Sequence, residues 1–292
     1  MAKPHPDIND PNRFVLYRYN PSLEAAIVFC VAFALTTLLH IFQIIKKRTW
    51  YFIPLAVGGA FEAVGYIGRI QGHYDQWALG PFIQQSLLLL VAPALFAASI
   101  YMTLGRIILM VDGERYSLIR QRWLTKIFVL GDVISFLVQG GGMKLGEKII
   151  IVGLFLQLLF FGLFVAVASI FHRRLAASSK LSPLPLSSLP WKRHMYMLYA
   201  TSGLILVRSA FRVVEYIMGN NGFLLRREVF LYVFDALLMF AVMALFNWIH
   251  PSEVVALYRR RLAGGSRDGP GRASADVQLV EGVGARGQEQ RS

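Results

Sequence analysis

Phe82-Ile-Gln-Gln-Ser-Leu-Leu-Leu-Leu-Val-Ala-Pro-Ala-Leu-Phe-Ala-Ala-Ser-Ile-Tyr-Met-Thr-Leu-Gly105 holds no charged residue, and Arg106 closes it. Wound as a helix rising about 1.5 Å per residue, it crosses about 30 Å of hydrocarbon, where each backbone group must find its partner within its own segment. The same pattern recurs in both directions along the chain. Apolar spans are expected at 23–45, 52–70, 82–108, 124–140, 149–171, 195–217 and 229–249, with charge gathered between them. The chain is 55% hydrophobic and only 16% charged, where a soluble domain carries about 25% charge. That deficit reports the bilayer as solvent rather than a large soluble core. The expected fold class is an all-α membrane protein, a seven-transmembrane-helix bundle. The fourth span is the weakest, being short and carrying Asp132, and a five-helix bundle is the structural alternative.

Orientation follows from basic residues. Lys46, Lys47 and Arg48 lie after span one; Arg115, Arg120 and Arg122 after span three; Arg173, Arg174, Lys180, Lys192 and Arg193 after span five; Arg259, Arg260 and Arg261 after span seven. The opposite loops carry fewer: none in 71–81, Lys144 and Lys148 in 141–148, Arg226 and Arg227 in 218–228. The N-terminus is therefore expected outside and the C-terminus in the cytosol. Residues 1–22 read as an extracellular tail, 23–250 as the membrane domain, and 251–292 as a cytosolic, largely disordered tail. The Ser-, Pro- and Leu-rich stretch 178–190 reads as a linker. The net charge of +13 flanks apolar spans, so the membrane explains it and no nucleic-acid partner is expected. Cys30 is the one cysteine, so no intrachain disulfide forms. The first 20 residues lack a basic run followed by an apolar one, so no cleaved signal is expected. Pro21 disqualifies Asn20-Pro21-Ser22 as a glycosylation sequon.

The informative residues are the charges inside spans: Glu62, Arg69, Asp132, Arg208, Arg212, Glu215 and Asp235. At a helix centre each costs about 2.5–3.5 kcal/mol on the insertion scale, so they are expected to face one another rather than lipid. Gly58, Glu62, Gly65 and Arg69 follow each other at 4, 3 and 4 residues, as do Arg208, Arg212, Glu215 and Gly219. Such spacing makes one stripe on a helix, and its glycines admit a close neighbour. Asp132 aligns with Ser135 and Gln139, and Asp235 with Glu228 and Tyr232. Gln85, Ala92, Ser99 and Arg106 form a small, polar face on span three; Thr36, His40 and Gln43 do so on span one, and Gln157 on span five. Two readings follow: charges that only hold the bundle together, or a polar cavity that accepts a ligand with a charged head. Interhelical polar contacts are worth only about 0.6 kcal/mol on average, which favours the cavity. Pro93 is expected to kink span three.

No Cys/His cluster, phosphate-binding loop or zinc-binding HExxH pattern is present, and no nucleophile–base pair is legible, so no metal, no cofactor and no enzyme activity are expected. Gly140-Gly141-Gly142 reads as a turn. Glu114-Arg115-Tyr116 resembles the triplet after span three of G-protein-coupled receptors. However, Asp112-Gly113 should end the helix before it, and span seven lacks an Asn-Pro-x-x-Tyr sequence. Nor does span seven hold a lysine for a retinal Schiff base.

Several segments carry a family resemblance: Glu62-Ala-Val-Gly-Tyr66-Ile-Gly-Arg69, Ala92-Pro-Ala-Leu-Phe-Ala-Ala-Ser-Ile-Tyr101, Gly131-Asp132 with Gln139-Gly140, Arg208-Ser-Ala-Phe-Arg212-Val-Val-Glu215-Tyr216, then Glu228, Tyr232 and Asp235, and His250-Pro251. In these the chain resembles the fungal RTA-like family of lipid-translocating exporters. That family includes sphingoid long-chain-base exporters, aminocholesterol-resistance proteins and protoporphyrin-uptake proteins, and the resemblance covers roughly residues 17–252. It implies a multi-pass protein, mostly of the plasma membrane, that moves lipid or amphipathic compounds and contributes to stress resistance. Its partners would be membrane lipids and an amphipathic small molecule. The candidate ligand-binding residues are Glu62, Tyr66, Arg69, Asp132, Gln139, Arg208, Arg212, Glu215, Tyr232 and Asp235. Protonation of Glu62, Asp132 or Asp235 would couple movement to pH. The alternative function is a seven-helix lipid receptor or sensor signalling through cytosolic loops; a membrane-embedded lipid-modifying enzyme is a third.

Overall fold

The computed structural model describes residues 15–17, 19–145, 147–178, 190–219, 222–224 and 226–265. Among them every regular element is helical. α1 is Leu23–Lys47, α2 Ile53–Tyr74, α3 Leu79–Met110, α4 Gln121–Leu145, α5 Glu147–Ser178 and α6 Trp191–Met218. The next rod has three joined pieces: α7 Glu228–Leu231, a π-helical turn Tyr232–Ala236, and α8 Leu237–Trp248. α9, Ser252–Gly265, follows.

Local chemistry sets the helix ends. The Ser22 side chain accepts the Ala25 N–H at 3.4 Å, Glu24 sits in the first turn of α1, and Lys46 and Lys47 in its last. Each charge opposes the partial charge of its helix end. Arg48, at φ 50°, then turns the chain, and its N–H reaches the Ile44 and Ile45 carbonyls. α3 stops at Met110, and Asp112 adopts φ 51° before Glu114–Tyr116 forms a separate 3-10 turn. The receptor-like triplet thus lies outside the helix, as its sequence context suggested.

Among the described residues, six helical segments are long and apolar enough to cross a membrane: Leu23–Lys47, Trp50–Tyr74, Leu79–Met110, Lys148–Ala177, Trp191–Met218 and Glu228–Tyr258. α4, which carries Lys126 and Asp132, is not one of the six. The turn expected at Gly140-Gly141-Gly142 does not form, and α4 runs through it to Leu145. Each helical glycine costs about 1 kcal/mol relative to alanine, and packing of α4 along α5 overrides that preference. The region expected as a disordered tail from residue 251 begins instead with α9, whose Val254 is fully buried. Residues 179–189 of the expected linker and 266–292 of the expected tail lie outside the described residues.

Consecutive helices α1 to α6 are neighbours, α8 packs on both α6 and α1, and α3 runs through the middle, touching α2, α4, α6 and α9. α1 shows the two solvents of such a bundle. Val28, Leu35, Leu38, Phe42 and Ile45 are exposed on one side, whereas Ala26, Phe33, Thr37, His40 and Ile44 are buried on the other.

The glycine stripe of α2 sets its distance from α3. A Cβ on Gly68 would stand 2.9 Å from the Pro81 carbonyl oxygen and 3.3 Å from the Gln85 backbone nitrogen. Both are backbone atoms that cannot swing aside. Gly68→Ala is therefore expected to destabilise by about 1–3 kcal/mol, read as a lower melting temperature of the purified protein. Gly162→Ala, with nothing within 4 Å of the added carbon, serves as the neutral control.

Candidate functional site: a strapped polar pocket above a charged floor

The stripe of α2 places Glu62, Tyr66 and Arg69 along one buried line. Arg69 is 1% exposed and engages three elements. Its Nη2 donates to Glu228 Oε1 at 2.7 Å and to the Tyr19 hydroxyl at 2.7 Å, and its Nε donates to the Tyr232 hydroxyl at 3.0 Å. The guanidinium also lies over the Tyr19 and Tyr232 rings, 5.4 and 5.2 Å from their centroids. Glu228 in turn accepts the Ser22 N–H through both oxygens, at 2.8 and 3.0 Å.

These contacts tie down the segment just before α1, which was expected to be part of an extracellular tail. The Tyr17 hydroxyl donates to Gln85 Oε1 at 3.0 Å, and its ring meets Phe82 edge-on at 5.5 Å. A Cβ at Gly72 would come within 2.8 Å of the Tyr17 hydroxyl, so glycine makes room for the strap. His73 Nδ1 lies 2.7 Å from the Pro21 carbonyl oxygen. Burial pushes the Tyr17 hydroxyl up to about 12 and raises that of Tyr19, with Arg69 opposing both shifts. Both hydroxyls keep their protons at neutral pH. Beneath the strap lies a cavity of about 150 Å³. Its walls are Leu16, Tyr17, Tyr19, Arg69, Phe82, Gln85, Ser86, Leu89, Arg212, Glu215, Tyr216, Gly219 and Leu231. It joins two guanidinium groups, one carboxylate and several phenols to an apolar wall, a lining suited to a polar head on an apolar body.

The pocket floor rests on α6. Arg212 Nη1 donates to Glu215 Oε2 at 2.7 Å, a pair one helical turn apart. One turn deeper, Arg208 Nε donates to Asp235 Oδ1 at 2.5 Å and its Nη2 to the Leu89 carbonyl oxygen at 2.5 Å. That carbonyl is free because Pro93, four residues on, has no N–H to offer it. The proline thus creates the acceptor that Arg208 occupies, within a helix that stays continuous from Leu79 to Met110. Asp235 lies in the π-helical turn, which inserts extra backbone and is frequent at functional sites. There Tyr232 serves Arg69 and Asp235 serves Arg208.

Three arginine–carboxylate pairs result: Arg69–Glu228, Arg208–Asp235 and Arg212–Glu215. Glu62 stands outside them. It is 1% exposed, and among the described residues neither of its carboxyl oxygens has a hydrogen-bond partner. The Tyr66 hydroxyl and Asp235 Oδ2 are likewise unpartnered.

The family model for RTA1-like proteins matches residues 55–257, from the charged stripe of α2 to α9. The chain belongs to the RTA1-like family. Protoporphyrin uptake protein 1 of Saccharomyces cerevisiae is 37% identical over 280 residues, covering 80% of this chain and 91% of that protein. Protein RTA1 of the same yeast is 36% identical over 267 residues, 80% of this chain and 84% of its own. The sphingoid long-chain base transporter RSB1, also from that yeast, is 25% identical over 275 residues, 79% of this chain and 72% of its own. No solved structure is significantly similar.

In this RTA1-like protein the ten candidate residues divide. Glu62, Tyr66, Arg69, Arg208, Arg212, Glu215, Tyr232 and Asp235 gather where α2, α6 and the π-turn meet. Asp132 and Gln139 do not join them. Asp132 Oδ2 accepts from the Tyr101 hydroxyl at 2.9 Å, and Tyr101 packs against Phe128, Phe161 and Phe164. Gln139 Nε2 donates to Gln157 Oε1 at 3.2 Å across α4 and α5. His40 of α1 is taken up separately by the Met243 carbonyl, 3.1 Å away. The single polar interior expected from the seams is thus several separate ones. The residues missed are Tyr17, Tyr19 and the Leu89 carbonyl. The aromatic pair at Tyr17 and Tyr19, just ahead of Pro21 in an otherwise polar tail, was the available signal for the strap. Pro93 was the signal for the carbonyl.

Proposed function

We propose that this RTA1-like protein is a transporter of amphipathic, lipid-like molecules. The cargo head would enter the pocket of Arg69, Arg212 and Glu215 while its tail lies along apolar helix faces. The observation that carries this reading is the cavity beneath the strap, which joins paired charges to apolar walls. The names of the relatives, an uptake protein for protoporphyrin and a transporter of sphingoid long-chain bases, support the cargo class. In this reading α4 is the seventh span: it is 25 residues long and lies beside α3 and α5. In this reading, which the basic-residue bias supports for orientation, the strap lies outside and α9 in the cytosol, and the helices form one membrane domain in the plasma membrane. The protein moves its cargo and performs no covalent chemistry on it.

Flux of a labelled long-chain base, a sterol and a porphyrin across proteoliposomes tests the reading. Reconstituted protein should speed at least one of them above protein-free vesicles, and Arg212→Gln should reduce that flux about tenfold, the equivalent of about 1.4 kcal/mol. Equal flux with and without protein for all three would refute transport. Asp132→Asn keeps an oxygen for Tyr101, so flux should stay within about twofold of the unsubstituted protein.

A further inference from the structure

Among the described carboxyl and guanidinium groups below the pocket, Glu62 alone has no partner. Arg69 is engaged by Glu228, Arg212 by Glu215, and Arg208 by Asp235 and the Leu89 carbonyl. The charged groups that act on Glu62 are Asp235 from the π-turn and Arg208 and Arg212 from α6, with the Tyr66 hydroxyl one turn along α2. From α3 the same stripe meets Leu89 at Gly65, and Phe96 and Ala92 at Gly58, with no charge among them. From α1 it meets Cys30, whose thiol donates to the Ala63 carbonyl at 3.5 Å, and Phe33, stacked on Tyr66 at 5.7 Å. Both nearby cations are thus already matched. A second anion at Glu62, beside Asp235, would be a buried, uncompensated charge, which proteins avoid.

We infer that Glu62 is an exchangeable cation site: it holds a proton when no cargo is bound and gives that proton up to water when the ammonium head of an amphipathic cargo takes its place. This rests on the transport reading and adds its coupling ion. The exchange balances simply. The Glu62 O–H bond breaks, the proton leaves to water through the pocket, and the carboxylate pairs with the incoming cation, so the buried site never carries a bare charge. Nothing is oxidised or reduced. Glu62 lies seven residues below Arg69, about 10 Å deeper along α2. Leu89 separates the two levels: its side chain lines the cavity and packs on Gly65, while its carbonyl holds Arg208. The other buried carboxyls in the spans, Asp132, Glu215 and Asp235, are spoken for by Tyr101, Arg212 and Arg208.

The test uses a labelled long-chain quaternary ammonium, which carries no proton of its own. With the full chain in proteoliposomes acidic inside, one-for-one exchange drives accumulation by about tenfold per pH unit over protein-free vesicles. Glu62→Gln should abolish the response to the gradient, Glu62→Asp should retain part of it, and Asp132→Asn should retain it fully. Binding of the same probe to purified protein should release about one proton per chain to a pH dye, and none from Glu62→Gln. Flux of the probe that ignores the gradient, or a Glu62→Gln protein that still follows it, overturns the inference and leaves transport standing. Absence of flux for every cargo refutes transport itself, and the dye measurement then decides Glu62 alone. If Glu62→Gln does not fold, the unsubstituted protein's gradient response and proton release still decide.

Discussion

Asp235→Ala is expected to be the most damaging single substitution in the protein, at about 3–5 kcal/mol, because it strands the buried Arg208 guanidinium without its counter-ion. Arg208 is 2% exposed and Asp235 1%, so water cannot replace the lost partner. The Leu89 carbonyl alone does not neutralise a cation. Heating followed by size-exclusion chromatography of the detergent-solubilised protein should show a large fall in the monodisperse fraction. The cause is separable from simple truncation. Arg208→Leu combined with Asp235→Leu removes both charges and should recover much of the lost stability, although not transport. Asp235→Asn keeps an acceptor for Arg208 and should fall between. If the double substitution is no better than Asp235→Ala, the pair is not what holds this region together.

Arg69→Leu is the second. One guanidinium holds Glu228, Tyr19 and Tyr232, so its loss frees the strap, leaves Glu228 without its counter-ion and opens one wall of the pocket. Transport should fall by at least about tenfold, a modest demand given that hydrogen bonds to charged groups contribute about 1.5–3 kcal/mol each. Limited proteolysis should cut the chain within residues 15–22, where the unsubstituted protein resists. Arg69→Lys is the discriminating variant. A lysine reaches Glu228 as a point charge but lacks the planar fork that serves both tyrosines. It should keep more of the stability than of the strap's protection. Equal protection of the strap in Arg69→Lys would mean that Tyr17 and Gln85 suffice to hold it.

The helices and their inward faces were legible because a bilayer penalises charge so heavily that each intramembrane charge marks a protein-facing surface. Glu62, Arg69, Arg208, Arg212, Glu215 and Asp235 all proved buried. Helical spacing put Arg212 and Glu215 on one stripe, where residues three apart are neighbours, and they pair there. What spacing could not give was partnership between helices. Asp132 carries the same signal as Asp235, yet it faces Tyr101 and an aromatic cluster rather than an arginine. Periodicity fixes direction around one helix and says nothing about what stands opposite. The π-turn at Tyr232–Ala236 was hidden for a related reason: its sequence reads as ordinary helix, and only tertiary contact selects the wider turn. The strap escaped because segments outside the spans, rich in Pro and Asn, read as solvated tail, and its attachment depends on Arg69 and Gln85, remote in sequence. Pro93 was read as a kink, whereas its consequence here is chemical, a freed Leu89 carbonyl that Arg208 uses.

The central claim is that the polar head of an amphipathic cargo sits beneath the strap, and photo-crosslinking tests it most directly. A long-chain amine bearing a diazirine beside its head group, irradiated with the full protein in lipid nanodiscs, would be mapped by mass spectrometry. Adducts are predicted on pocket walls such as Tyr17, Phe82, Ser86 and Leu231, competed away by unlabelled cargo. Adducts confined to the exposed outer faces, at residues such as Val28, Leu35, Leu159 and Leu163, would contradict it.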